Sequence, residues 1–404
     1  MDARQQRGLE IAAMSKITKR GNETWIVPSQ SLNGKYAVTV SEEGRQCTCP
    51  DFELRQQPCK HVFAVEYVIK RESVTETKPD GTVSTTTTET TGVRVTYSQN
   101  WPAYNAAQTT EKDEFCRLLK DLVAGVPTPA QAGAGRRRTP LPDLIFASAY
   151  KVYSGFSSRR FMSDLRAARD DGLVGHAAAF NSIYDVMQEE SLTPILHDLI
   201  AITAKPLATV ESQFAVDSTG LGTECFYRHY SAKYGHDQMN RDYVKVHAMI
   251  GTKTNVITAV AITDRDAHDA PQFPALVNQT AEDFFVCEVS GDKAYASVKN
   301  LTTVSDLGAT PFVPFKSNSV GNSDSPLWNK LWHYFQFNKD EFLPHYHRRS
   351  NVESTFSMIK RVIGDTLRSK TRVAQINEAL LMILCHNIRC LIHEMFELGI
   401  NPAF

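Results

Sequence analysis

Gln213-Phe214-Ala215-Val216-Asp217-Ser218-Thr219-Gly220 is the stretch on which the reading of the fold turns. Upstream, from Leu141 to Ala204, apolar residues recur at helical spacing, and after Pro206 the period changes. Gln213 to Val216, Val244 to Ile250 and Val256 to Ile262 read as three strands. Helices and strands then alternate: a helix around Ala270 to Gln279, a strand at Asp283 to Val289, a helix from Ser297 to Leu307 and a strand at Thr310 to Phe315. Three early strands followed by this alternation predict an α/β fold, a mixed sheet flanked by helices. The last helix carries Val373, Ile376, Leu380, Ile383, Leu384, Ile388, Leu391 and Met395 on one broad apolar stripe.

Asp217 follows the apolar run directly, so a buried strand would deliver it to the sheet edge, with Ser218, Thr219 and Gly220 breaking the run. Asp292 follows the strand that begins near Phe284, with Gly291 before it to let another group approach closely. Both acids sit where ligand sites form in open α/β sheets, beyond a strand end. A lone aspartate there is usually a turn residue or helix cap. A third carboxylate changes the case. In Pro344-His345-Tyr346-His347-Arg348-Arg349-Ser350-Asn351-Val352-Glu353, a helix brings Arg349, Glu353 and Lys360 within about 40° of one another, and Tyr346 joins them if the helix reaches back that far. Val352, Phe356, Ile359 and Ile363 form the adjoining stripe that docks this helix. Alone, the run reads equally well as a solvated charged face. Three carboxylates brought together repel unless cations neutralise them, and oxygen ligands select hard ions such as Mg²⁺ or Mn²⁺. Such a cluster suits two-metal phosphoryl transfer.

In this order and context, Asp217, Asp292 and Glu353 resemble the catalytic triad of the DDE transposases with a ribonuclease H-like core. The spacing of Tyr346, Arg349, Glu353 and Lys360 is similar to the Tyr-Arg-Glu-Lys signature of the insertion-sequence branch of that family. The resemblance covers about residues 205 to 400 and includes Gly291-Asp292-Lys293-Ala294-Tyr295. Only 60 residues separate Asp292 from Glu353, which leaves little space for the β-rich insertion that some members carry. It implies a ribonuclease H-like catalytic domain over 206–404 and two Mg²⁺ or Mn²⁺ ions held by Asp217, Asp292 and Glu353. Arg349 and Lys360 would hold DNA phosphates, and Tyr346 would hydrogen-bond a phosphate oxygen. The implied activity is cleavage at the ends of an insertion sequence and strand transfer into target DNA. Two other readings stay open: a captured transposase serving as a DNA-binding or regulatory protein, and a nuclease of the same fold without strand transfer. Trp328 and Trp332 either stack on a flipped base or pack in the core, the commoner fate. His247 and His268 are expected to be structural.

Cys47-x-Cys49-x9-Cys59-x-His61 supplies four ligands of the kind that close a structural tetrahedral Zn²⁺ site. Extended runs at Thr24 to Val27 and Lys35 to Val40, joined by the turn signal Asn33-Gly34, precede it. A helical run from His61 to Lys70 follows, with Val62, Val65 and Ile69 on one face. This ββα setting, with Pro50-Asp51-Phe52 and Pro58-Cys59-Lys60-His61-Val62, resembles the SWIM zinc-binding domain, here residues 1–71. Such domains are associated with DNA or protein binding. Cys116, Cys225, Cys287, Cys385 and Cys390 lack ligand spacing and read as buried apolar residues.

Residues 72–140 read as linkers around one helix, Ala106 to Ala124. The threonine-rich part at Ser84 to Thr88 is a linker or an exposed hairpin, and Val126 to Pro142 is rich in Pro, Gly and Arg. Residues 141–205 hold helices at Leu141 to Tyr153, Ser157 to Arg169, His176 to Gln188 and Leu192 to Ala204, compatible with a helix-turn-helix unit and expected to bind DNA ends. With 44 Lys+Arg against 45 Asp+Glu, the net charge of −1 requires any nucleic-acid contact to come from local patches. Candidates are Arg136-Arg137-Arg138, the set Arg159, Arg160, Arg166 and Arg169, and the Arg348 to Arg372 region. No apolar run of membrane-spanning length and no signal-peptide core are evident, and eight cysteines without such a signal argue against a disulfide framework. The expectation is therefore a cytoplasmic protein, nucleoid-associated when bound to double-stranded DNA, acting as a homodimer on element ends and target.

Overall fold

The computed structural model describes residues 4, 5, 7, 8, 11, 17–20, 23–29, 35–41, 44–77, 83–91, 100–130, 133, 138–223 and 242–404. The chain forms two compact units, Met1–Ser98 and Gln99–Phe404. The Asn33-Gly34 turn, Arg136, Arg137 and Cys225 lie outside the described residues.

In the first unit β1 (Thr18–Lys19), β2 (Thr24–Pro28), β3 (Lys35–Ser41) and β4 (Gly44–Cys47) form an antiparallel meander. Alternation along β2 and β3 buries Trp25, Val27 and Val38. The short helix α1 (Pro50–Arg55), with proline at its first position, and α2 (Lys60–Val68) add Phe52, Val62, Ala64 and Val65 to the same cluster. Among the described residues, the expected ββα unit thus contains a four-stranded meander and two helices after it. β5 (Ile69–Thr77) and β6 (Val83–Thr91) pair antiparallel from Ile69↔Thr91 to Thr77↔Val83. The threonine-rich stretch is therefore paired as a hairpin rather than left as a linker, and α2 stops at Val68 because Ile69 and Lys70 already belong to that ladder.

The second unit begins with helices α3 (Trp101–Ala124), α4 (Leu141–Ser154), α5 (Ser158–Asp170), α6 (Phe180–Met187) and α7 (Leu192–Ala204). There follow β7 (Gln213–Gly222), β8 (Tyr243–Gly251), β9 (Ile257–Asp264), α8 (Phe273–Asp283), β10 (Glu288–Gly291), α9 (Val298–Asp306) and β11 (Thr310–Phe312). The remaining helices are α10 (Pro326–Phe337), α11 (Lys339–His347), α12 (Ser350–Val362) and α13 (Arg372–Leu398). The sheet order is β11-β10-β7-β8-β9. β7, β8 and β9 pair antiparallel, whereas β10 lies parallel to β7 and β11 parallel to β10. Parallel neighbours need long crossovers, supplied here by α8 and α9. This mixed sheet, with the first strand at its centre, is the ribonuclease H-like arrangement.

Local chemistry moved several expected boundaries. The ladder of β7 with β8 continues to Gly222↔Tyr243, so Ser218 to Gly220 end the apolar run without ending the strand. α6 starts at Phe180 rather than His176, because the Asp143 carboxylate accepts Gly175 N–H at 3.2 Å and His176 N–H at 2.9 Å outside any helix. α8 extends through Asp283, which shifts the fourth strand of the sheet to Glu288–Gly291. α3 begins at Trp101, capped by Asn100, whose side chain accepts Ala103 N–H at 3.3 Å.

α13 organises the core. Contrary to the sequence expectation, it is long and apolar enough to cross a membrane by length and composition, yet 72% of its apolar window is buried inside the protein, the situation of a core helix. Its buried Asn387 donates to Ile257 O at 2.7 Å and accepts Ile257 N–H at 2.9 Å, serving the start of β9 as a further strand would. His386, buried with Nε2 at 2.9 Å from Asn255 O, is pushed down by burial to about 4. In the unfolded chain its imidazole takes a proton near pH 6.5. Its contribution to stability is therefore full above that pH and is lost as the pH falls towards 4, by about 3 kcal/mol at the limit. Half-buried His197 and buried His247, also shifted down, act in the same direction. Thermal melts across this interval should show a steep acid loss, flatter in His386→Asn; an equally steep loss in the variant would assign the effect elsewhere.

Candidate catalytic and metal sites

The register of β10 on β7 runs from Glu288↔Gln213 to Gly291↔Val216, so the next residues, Asp292 and Asp217, come side by side where parallel pairing ends. Alternation places Gln213, Ala215 and Asp217 on the same face as Glu288, Ser290 and Asp292. Asp292 caps the turn that follows, its Oδ1 accepting Lys293 N–H at 2.6 Å. Asp217 Oδ1 accepts Ser218 N–H at 2.8 Å, and Oδ2 accepts Arg349 Nη2 at 2.8 Å. Burial pushes the Asp217 carboxyl up; the Ser218 N–H and Arg349 pull it back, and Asp292 adds to the rise.

α11 and α12 are separate helices with Arg348 and Arg349 at the junction. Tyr346 therefore does not share a helix with Glu353, yet it faces the same acids. Burial raises its hydroxyl, with Arg349 opposing and Asp292 adding to the shift, which leaves a protonated donor. Val352, Phe356 and Ile359 bury the docking face of α12. Arg349 reaches Asp217 with one nitrogen and lies 3.4 Å from Glu353 Oε1 with the other. Burial pulls its pKa down, but Asp217, Tyr346, Asp292 and Glu353 outweigh it and hold the guanidinium charged. The Glu353 side chain is 64% exposed on the first turn of α12. The structure thus pairs Asp217 with Asp292 and keeps Glu353 across Arg349 from them. Lys360 lies farther along α12, half-buried beside Thr219, Leu221 and Val246, and makes no ion pair among the described residues.

Sequence reasoning missed Glu288. Its Oε2 accepts His345 Nδ1 at 2.8 Å and Arg348 Nη1 at 2.9 Å, and its Oε1 accepts Gln213 Nε2 at 3.3 Å. His345 stacks on Phe312 at 4.4 Å. Neighbouring arginines are thus drawn to opposite ends of one strand pair: Arg348 to Glu288, Arg349 to Asp217. The available signal was period-two alternation, which puts Glu288 on the face of Asp292 once the strand is correctly placed. Trp328 and Trp332 pack: their indole N–H groups donate to Val320 O at 2.9 Å and Ser319 O at 3.1 Å, and Gly321 lies against the Trp332 ring. His247 is fully buried, with Nε2 2.8 Å from Thr263 Oγ1 and Nδ1 3.2 Å from Asp269.

In the first unit, β4 delivers Cys47, the turn before α1 delivers Cys49, and the start of α2 delivers Cys59 and His61. All four are buried, and their ligand atoms lie within 4.8 Å of one another. Cys47 Sγ and Cys59 Sγ stand 3.9 and 3.8 Å from His61 Nδ1. A tetrahedron of Zn–S and Zn–N bonds has such an edge of roughly 3.6 Å, so the donor set fits zinc in type and size. Hydrogen bonding from Cys47, then from His61, pulls the Cys59 thiol down to about 3. Among the described residues, a further group, His393, Glu394 and Glu397, lies along one side of α13.

A ribonuclease H-like sheet with paired aspartates at its edge defines a class of metal-dependent enzymes that cut nucleic acids. Residues 208–388 match the transposase DDE domain. Residues 36–70 match the SWIM zinc finger. Among solved structures, a cryo-EM structure of the piggyBac transposase synaptic complex with hairpin DNA is similar at 11% identity, over 75% of this chain and 76% of that chain, with a TM-score of 0.37. Among curated proteins, none matches the chain significantly.

Proposed function

We propose that this DNA transposase cuts the ends of an insertion sequence and transfers the freed strands to target DNA at a site built from Asp217, Asp292 and Glu353. The observation that carries this reading is the parallel register that sets Asp217 beside Asp292, with Arg349 extending from Asp217 towards Glu353. The three carboxylates offer hard oxygen donors and would hold two Mg²⁺ or Mn²⁺ ions. Such ions, when bound, neutralise charge developing on the transferring phosphoryl group. Arg349 offers a planar fork suited to bidentate contact with a DNA phosphate, and Lys360 a point charge. Tyr346 supplies a hydroxyl donor to a phosphate oxygen. Hydrolysis at the element end leaves a 3′-hydroxyl, which then attacks a target phosphodiester and displaces its 3′-oxygen. A homodimer would pair two ends, and the zinc module would add a contact to DNA or protein.

Labelled duplexes made from the DNA flanking the gene, incubated with Mg²⁺ or Mn²⁺, should yield cleaved ends and joined products. Absence of metal-dependent cleavage sinks the reading, whereas cleavage without joining points to a nuclease of this fold. Glu288→Gln should lower cleavage on the order of 10- to 100-fold by loosening the α11–α12 junction, since a displacement of about 1 Å in a catalytic group has that cost. Single-turnover rates on duplexes measure it; an unchanged rate would free Glu288 from any positioning role.

A further inference from the structure

The segment after α12 joins the Glu353 helix to α5. Gly222 N donates to Asp365 O at 3.0 Å and Leu367 N donates to Gly222 O at 2.7 Å, which lays this segment along the end of β7. From it, Arg368 Nη1 donates to Gly155 O at 2.5 Å and Phe156 O at 3.3 Å, in the turn that opens α5. One side chain thereby links the two helices. Lys360 and Arg361 end α12, Lys370 sits in the linking segment, and Arg159, Arg160 and Arg166 project from α5.

Among the described residues, none of these six cations makes an ion pair, and all except half-buried Lys360 are exposed. Among arginines the contrast is clear, since Arg117 pairs with Glu114, Arg169 with Asp170, Arg265 with Asp266, Arg372 with Asp264 and Arg389 with Glu111, whereas lysines elsewhere, Lys120, Lys299, Lys316 and Lys330 among them, also stand without an ion pair among the described residues. The acids of α5 are already engaged, Asp164 facing Lys112 at 3.8 Å and Asp170 taking Arg169 at 2.7 Å. Asp365 lies on the path as an acid, its carboxylate accepting the Thr366 hydroxyl at 2.8 Å. On α5, Arg159 and Arg166 lie about 20° apart and Arg160 about 100° from Arg159, with small Ser163 and Ala167 between them. That face combines projecting cations with room for close approach. Arg159 lies over the Phe180 ring at 5.3 Å, which leaves its charge without a carboxylate.

Unneutralised cations on two helices that Arg368 joins, in a protein of net charge −1, create a local field, and their natural counterion is a polyanion. We propose that this strip is a track for the phosphate backbone of duplex DNA, leading from the Glu353 helix to α5. The choice of DNA rests on the transposase reading, because that activity must hold duplex beside the acids.

The test is fluorescence anisotropy of the full-length chain with a labelled duplex from the gene's flanking DNA, titrated over a range of salt. Replacing Arg159, Arg160 and Arg166 together by Ala should weaken binding at least about tenfold and lower the slope of log K against log salt by roughly 2 to 3, since each phosphate contact contributes about 0.9. The corresponding triple Lys variant should keep the slope. Unchanged affinity and slope in the Ala variant overturn the track, as does a Lys variant that binds as poorly as Ala. Arginine-dependent binding of polyglutamate but not duplex also overturns it, in favour of an acidic protein. Metal-dependent cleavage, read on the same duplex, separates the two levels. Arginine-dependent binding without cleavage keeps the track and removes the transposase reading; cleavage with arginine-independent binding does the reverse.

Discussion

Asp292→Asn should lower metal-dependent DNA cleavage on the order of 10³-fold or more, the equivalent of about 4 kcal/mol in the barrier, while leaving duplex binding close to wild type. The same is expected of Asp217→Asn. The two residues end the parallel pairing of β7 and β10 side by side, and the amide keeps shape while removing the charge that a divalent ion requires. Binding is spared because the phosphate contacts fall to cations. A second readout avoids activity altogether: Mn²⁺ should raise the melting temperature of the wild type through preferential binding to the folded state, and that rise should vanish in either variant. Near-normal cleavage in one of them would remove that residue from the metal set. Glu353→Gln should follow the same pattern, and the case is sharper there because Glu353 is exposed and bonded to Arg349 rather than placed beside the aspartates.

Cys59→Ser should reduce bound zinc from one ion per chain to none, and the first unit should lose its folded structure while the second persists. The reason is the small core. Of the eleven described residues in the unit's buried cluster, three are Cys47, Cys49 and Cys59, which leaves eight described residues to hold the meander and its helices. Units this small need a further constraint, and structural zinc contributes about 10–16 kcal/mol in zinc-finger peptides at neutral pH. Limited proteolysis with and without chelator should therefore cut within the first hundred residues first. Unchanged zinc content in the variant would falsify the ligand set; zinc loss with unaltered protease resistance would show that the unit folds on its own core.

Cys47, Cys49, Cys59 and His61 could be picked out as a set because Cys-x-Cys and Cys-x-His are local spacings that survive without tertiary information, and the structure brings their ligand atoms within 4.8 Å of one another. The helices at Leu141, Ser158 and Leu192 were legible for the same reason, their buried faces recurring every three to four residues. Asp217 was read correctly as following an apolar run, but its strand was ended too soon. Ladder pairing with β8 continues through polar residues, and no residue type announces that. Glu288 fell on a strand placed too early by several residues, so its face could not be read.

By itself, the sequence determined most helices and strands of the second unit to within a few residues, the order of Asp217, Asp292 and Glu353 along the chain, and the grouping of Cys47, Cys49, Cys59 and His61. All of these follow from periodicities and spacings within a few turns or strands. Tertiary structure decided which acids meet. The β10–β7 register brings Asp217 to Asp292, and the break between α11 and α12 sends Arg348 to Glu288 and Arg349 to Asp217. Those outcomes depend on pairing between segments about 60 to 130 residues apart, whose closure is governed by how whole elements pack rather than by any local pattern.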